Sequence, residues 1–275
     1  MIPDRRISQA IVLADARTVR VAACSHEFDV PEAERIAVLF GSRPPGVQCP
    51  LAHFACPFGR NHVAVVRVED RPNDLLGFRF LVLTRDLYRY LGDPFAISDR
   101  YPVNWNVSGW LPDLEWPMEL LPERTLEKLD AILKHGDGAL LLGSTQALVD
   151  GNRVLLQRQA PDEQFLRDLW QLLPDRTRCD LWPASFAFCD ALGFHAAVGP
   201  NLPTRRHGVP VLVEDALRDY PQSSYELNLQ IAIESGDRVA LKKLLARRTT
   251  DETIRLGLYM LAFAVIVAVV SRWLL

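Results

Sequence analysis

Short apolar stretches separated by turn residues open the chain. SQAIVLADARTVRVAAC at 8–24 predicts two strands with a turn near Asp15, and PEAERIAVLFG at 31–41 predicts a helix begun by Pro31. The β-branched run His62 to Val68 and the alternating run Gly77 to Leu83 predict strands, the second leading into a short helix over DLYRYLG. A connector rich in proline and tryptophan follows from Asp93 to Pro122, long enough to wrap a surface or to divide two subdomains at 98–122.

The second half alternates helix and strand. A helix is expected from Pro122 through LEKLDAILKHG, ending at Gly136 with Lys134 and His135 where the helix dipole favours cations. LLLGSTQALVDG fits a helix or a buried strand, with Asp150-Gly151 favouring a helix end. VLLQRQ at 154–159 predicts a strand and APDEQFLRDLWQLLP at 160–174 an amphipathic helix; TRCDLWPASFAFCD and GFHAAVG predict further strands. YELNLQIAIESGDRVALKKLLARR predicts two short helices broken at Gly236-Asp237, like one unit of a helical repeat. The fold class is therefore mixed α/β (α+β) over residues 1–213, followed by a juxtamembrane helical segment at 222–250.

The last stretch, 253–275, has a different character. From Leu256 to Val270 no residue is charged, and Leu, Met, Phe, Ile and Val occur all round the helical wheel. A helix apolar on every side must be buried in a core or in lipid. With Ser271 to Leu275 the segment reaches the length of about 20 residues that crosses the hydrocarbon layer. Arg272 lies near the end, where it can snorkel to the far headgroups, and Trp273 and Tyr259 suit the two interfaces. Arg238, Lys242, Lys243, Arg247, Arg248 and Arg255 before the segment outnumber Asp237, Asp251 and Glu252, so the positive-inside rule places the preceding domain in the cytoplasm. The expectation is a single-pass tail anchor whose partner is the lipid bilayer. Gly257, Ala262, Ala264 and Ala268 offer a face for helix packing within a larger membrane assembly.

Composition narrows the rest. A chain of 275 residues with 24% charged and 49% hydrophobic residues can bury a substantial core. A net charge of −3 gives no global attraction to nucleic acid. The N-terminus has no apolar stretch of signal-peptide length, and five cysteines (Cys24, Cys49, Cys56, Cys179, Cys189) are an odd number, so reduced thiols are expected.

Candidate chemistry is sparse. Cys49, His53, Cys56 and His62 are zinc-ligand types, but their spacing is not a paired finger pattern, and on an extended strand His53 and Cys56 point to opposite faces. Ser185, Asp190 and His195 are the types of a hydrolase triad. Ser185 lies in PASFA, however, and Ser144 in LGSTQ, neither of which is the G-x-S-x-G elbow. No phosphate-binding glycine motif occurs, so no directly bound nucleotide is expected. Arg205-Arg206-His207 is read as a solvated turn, and Trp105, Trp110 and Trp116 as residues that clamp the connector onto a core. No catalytic, cofactor-binding or metal-binding residue is assigned.

Three stretches together, VAACS (21–25), GFRFLVLTRDLYRYLGDPFAI (77–97) and LLLGSTQALVDGNRVLLQRQAPDEQFLRDLWQLLPDRTRCDLWPASFAF (140–188), resemble the N-terminal domain of bacterial GTPase-associated proteins. The resemblance covers roughly residues 8–200 and consists of apolar patterns and turn residues. It implies an adaptor that works with a GTPase system, and it carries over no catalytic residue. This chain departs from the longer members of that family in its expected membrane span. The function expected is thus a membrane-anchored, non-enzymatic adaptor or scaffold that recruits a protein partner; the alternative is a membrane-tethered hydrolase.

Overall fold

The computed structural model of the chain describes residues 4–15, 17–119, 121–202, 211–220 and 224–246. The expected span at 253–275 and the Arg205-Arg206-His207 turn lie outside them. Among the described residues, no helix is long and apolar enough to cross a membrane.

A long hairpin system forms first. Strands β1 (Arg6–Ala14) and β2 (Val19–Cys24) are joined at Asp15, whose carboxylate accepts from the Arg17 and Thr18 amides at 2.7 Å each and closes the turn. Helix α1 (Val30–Leu39) begins where the Asp29 carboxylate caps Glu32 N–H, with Pro31 in the first turn. Strands β3 (Ala52–Phe58), β4 (His62–Arg71) and β5 (Leu75–Thr84) form a meander, and β5 pairs back onto β1 along its length. All these pairings are antiparallel. The turn between β4 and β5 places Asn73 and Asp74 at φ of 63° and 60°, a conformation those two residue types tolerate better than most.

Helices α2 (Arg85–Leu91) and α3 (Pro94–Arg100) follow directly. The connector expected at 93–122 therefore starts with a helix. Its signal is Asp93-Pro94: the Asp93 carboxylate accepts from Phe95 N–H at 3.0 Å and Ala96 N–H at 3.1 Å, and Pro94 occupies the first helical position. The remaining connector carries two-residue strands, β6 (Gly109–Trp110) on β2 and β7 (Leu114–Glu115) on β1.

The second half adds α4 (Leu126–His135), α5 (Gly138–Val149), β8 (Arg153–Gln157), α6 (Glu163–Leu172), α7 (Asp175–Arg178), β9 (Pro183–Ala184), β10 (Ala196–Gly199), β11 (Val211–Leu212), α8 (Glu214–Arg218), α9 (Ser224–Glu234) and α10 (Arg238–Leu245). The segment 140–149, open between helix and strand from its pattern, is helical: Asp137 caps Leu140 N–H at 3.2 Å, and residues 140–148 are buried on all sides. The strands expected across 177–199 shrink to β9 and β10, with α7 before them and turns between. Pairing here is parallel: β11, β8, β10 and β9 lie side by side.

One sheet runs through both halves. Its order is β11-β8-β10-β9-β3-β4-β5-β1-β2-β6, with β7 off the path on β1. The splice is narrow, a single antiparallel pair between Phe54 of β3 and Ala184 of β9. Phe40, just past α1, reinforces it by stacking on Phe54 at 5.4 Å and meeting Phe188 edge-on at 5.3 Å. Because side chains alternate along β3, Phe54 faces α1 while His53 faces α3, where its ring lies 6.3 Å from that of Phe95.

Gly143 shows how tightly the second half is packed. A Cβ there would lie 1.9 Å from the Leu217 carbonyl oxygen of α8. In an ordinary helix interior Gly→Ala gains up to about 1 kcal/mol. Gly143→Ala is expected to do the opposite and destabilise the chain by about 1–3 kcal/mol through overpacking, to be read as a lower thermal unfolding midpoint.

Candidate functional site

The charged groups of the second half converge where α3, α6 and α7 meet the chain ahead of α4. Helix α6 starts at Asp162, whose carboxylate caps Phe165 N–H at 3.0 Å, and its spacing aims Glu163 and Arg167 along one face. Arg167 grips the Asp99 carboxylate with both terminal nitrogens at 2.8 Å and lies over the Phe95 ring at 5.1 Å. Behind it, Glu163 stands 3.2 Å from Nδ1 of the buried His53. Burial alone would raise the Glu163 carboxyl, but His53 and Arg167 outweigh it and hold it at about 2.

Arg124 closes the other end of α6. Its Nη1 donates to the carbonyls of Gln171 at 3.0 Å and Leu173 at 2.6 Å, covering acceptors that a helix end leaves open, and Nη2 reaches Asp175 at 2.6 Å. Arg178 shares the same Asp175 oxygen at 3.0 Å. Burial, with the charge of Arg178 beside it, pulls Arg124 down to about 10.

Arg124 and Arg178 form a wall common to two cavities. One, of about 260 Å³, is a polar cleft between α3 and α6 with Asp93, Asp99, Lys128, Gln164 and Asp168 on its surface. Asp93 caps α3 and accepts from Gln171, Gln164 donates to Asp168 at 2.9 Å and Lys128 to Gln171 at 3.2 Å, while the buried Nε of Arg178 in the shared wall has no hydrogen-bond partner among the described residues. Burial raises the Asp168 carboxyl despite the Gln164 amide and Lys128. Among the described residues, no hydroxyl, thiol or imidazole lines this cleft. The second cavity, of about 680 Å³, is a groove between α2, α4 and α10. Leu91, Leu121, Leu126, Leu241 and Leu245 form its apolar floor, Tyr90 stands 54% exposed at its edge, and Glu127, Arg238 and Lys242 edge it with charge. It is an apolar centre with a charged rim, the anatomy of a recognition surface.

The residues singled out by type are dispersed. Ser185 Oγ accepts from His53 N–H at 2.8 Å while Ser185 N–H donates to the His53 carbonyl at 2.8 Å. Asp190 forms a buried ion pair with Arg153, whose Nη1 donates to it at 2.9 Å. His195 Nδ1 accepts from Trp182 N–H at 3.0 Å, which fixes the neutral ring, and burial and Arg153 lower it to about 4. The three side chains thus serve three different partners. Ser144 is buried in α5. His53 and Cys56 fall on opposite faces of β3, His62 is exposed at the start of β4, and among the described residues no three metal-ligand types gather. Burial pushes the thiols of Cys49 up to about 12 and of Cys179 up to about 11, so neither is a ready nucleophile. The tryptophans divide: Trp116 is core at 3% exposure, Trp105 is pinned to Glu69 at 2.9 Å, and Trp110 is 66% exposed.

The groove is the feature that residue types alone do not reveal. Its lining comes from 90–91, 121–127, 175–178 and 238–246, stretches with no common motif. Comparisons with protein-family models, with curated proteins and with solved structures find no match for this chain.

The His195 ring generates a pH dependence whose sign is set. Its folded pKa of about 4 lies below the ordinary 6.5, so the unfolded chain binds the proton more readily. The associated stability is complete above about pH 7 and is lost as pH falls from there toward 4, by about 3 kcal/mol at most. Unfolding midpoints should therefore drop between pH 7 and pH 5, and His195→Asn, which keeps an acceptor for Trp182 N–H, should flatten that part of the profile.

Proposed function

We propose that this chain is a non-enzymatic adaptor domain, tethered to the cytoplasmic face of a membrane by its apolar segment at 253–275, and that it recruits a protein partner through the groove along α10. The observation that carries recruitment is the groove itself: an apolar floor of leucines, an exposed tyrosine and a rim of both charge signs suit an incoming peptide or helix bearing apolar anchors. The polar cleft beside it supports binding over turnover. Its carboxylates are committed to caps, hydrogen bonds and ion pairs, and among the described residues no nucleophile lines it.

The tether rests on the uncharged run Leu256 to Val270 and on the excess of Lys and Arg before it. Helix α10, one wall of the groove, leads toward that run in sequence, so a captured partner is held close to the bilayer. A GTPase system is the partner class that fits the resemblance of residues 8–200.

Two measurements test this. The full chain is expected to stay with membranes through alkaline carbonate washing, and a chain ended before Thr253 to become soluble; if both fractionate as soluble, the tether is wrong. In cross-linking and pull-down from intact membranes, Tyr90→Glu combined with Lys242→Glu should reduce recovery of the partner at least about tenfold, the scale of one lost hot spot, while leaving membrane association unchanged. Undiminished recovery would remove the groove from the proposal.

A further inference from the structure

The register of the antiparallel half sets a row of side chains across one face of the sheet. His53 on β3 is opposite Arg67 on β4, Arg67 is opposite Arg79 on β5, and Arg79 is opposite Ile11 on β1. Directly paired residues project from the same face, so an imidazole and two guanidinium groups stand side by side. Like charges placed opposite one another weaken a sheet. The row calls for a counter-charge.

The carboxylates that border it are taken. Glu69 Oε1 accepts from Arg67, and its Oε2 accepts from the Trp105 indole N–H at 2.9 Å. Glu163 pairs with His53 at the far end of the row and with Arg167. Arg79 is only 6% exposed, and no carboxylate pairs with it among the described residues. Its Nη1 donates to the Phe80 carbonyl at 2.7 Å and its Nη2 to the Gln9 side-chain oxygen. Two neutral acceptors satisfy part of the guanidinium without cancelling its charge, and an unpaired buried cation is strongly unfavourable. Burial accordingly draws Arg79 down to about 10.

The Arg67 side chain is 28% exposed, so the row meets solvent beside the buried charge. The connector shapes the other side: Trp105 lies so close to the sheet that a Cβ on Gly77 would fall 2.7 Å from its ring, and the Pro112 carbonyl accepts from the Gln9 amide. Gln9 is thereby held with its oxygen toward Arg79.

We propose that Arg79, with Arg67 beside it, binds a carboxylate ligand that enters next to Arg67 and supplies the missing negative charge. Glu69 neutralises Arg67, Arg79 is left without an opposite charge among the described residues, and Arg71 over the Trp105 ring at 5.1 Å adds a further cation on the same face; a planar carboxylate matches the guanidinium fork in geometry. The carboxylate can belong to a small organic acid or to an acidic peptide.

The test uses the full chain in a non-ionic detergent, with acetate, N-acetylglycine and a short acidic peptide as probes and chloride at matched ionic strength as the control. Acetate at about 100 mM is expected to raise the thermal midpoint by about 2–4 °C over chloride. Arg79→Met should abolish the response and Arg67→Gln should weaken it severalfold. Equal midpoints in acetate and chloride, or a full response in Arg79→Met, would overturn the proposal. Should Arg79→Met fail to fold, the arginine Nε–H spectrum of the unsubstituted chain decides: an acetate titration must shift the Nε–H resonance assigned to Arg79 through its own side-chain carbons, and an Arg79 resonance that stays still rules the site out. Tighter binding of the peptide than of N-acetylglycine assigns the carboxylate to a polypeptide; the reverse order assigns it to a small acid.

Discussion

The structure hinges on a seam one residue pair wide. Phe54 and Ala184 are the only Cα partners between β3 and β9, yet through them an antiparallel meander and a parallel α/β layer become one sheet. A pair of that size cannot hold two layers by itself, since isolated strand pairing is marginal even over longer lengths. Side chains complete the joint. Ser185 and His53 exchange two hydrogen bonds at 2.8 Å, His53 reaches Glu163 on α6, and Phe40 packs against Phe54 and Phe188 from opposite sides of the join. Ser185, a hydrolase-triad type, and His53, a zinc-ligand type, are thus used to weld the fold.

The same seam sets the position of the charged clefts. Once Glu163 is drawn to His53, α6 is fixed against β3, and Arg167 one turn later can reach Asp99 of α3. At the far end of α6, Arg124 covers the Gln171 and Leu173 carbonyls and ties the chain ahead of α4 to α7. These ion pairs are partly buried and hydrogen-bonded, unlike exposed pairs, which contribute little. They hold α3, α6 and α7 in one arrangement, with Arg124 and Arg178 forming the wall shared with the groove.

Much of the architecture was legible because its local signals agree. β4 and β5 are β-branched and aromatic, α6 shows a clear apolar face, and the break at Gly236-Asp237 places Gly236 at φ of 72° and Asp237 as the cap of α10. The rest was hidden for physical reasons. The buried run at 140–149 has no polar side to give a period, so its cap at Asp137 settles it. Residues 177–199 look strand-like because they are apolar, but their burial comes from packing turns against the core, and only β9 and β10 join the ladder. Helix α3 was masked by the prolines and tryptophans around it, although Asp93-Pro94 announces it. The groove was invisible for a different cause: its floor is built from four separated stretches, and no spacing rule connects positions brought together only by tertiary packing.

Electrostatics separates what stabilises this fold from what remains to be used. In the second half nearly every buried charge has an opposite partner within reach: Arg153 with Asp190, Arg124 and Arg178 with Asp175, Arg167 with Asp99 and Glu163. Those groups act on the fold, and altering them exposes an unpaired charge before it touches any ligand. On the sheet face of the first half Arg79 breaks that rule, with two neutral acceptors and no carboxylate among the described residues. A fold that neutralises its other buried cations so consistently makes that exception informative. The fold of the meander would be served as well by an apolar side chain opposite Ile11, so the charge at Arg79 is better explained by what it meets from outside than by what it adds within.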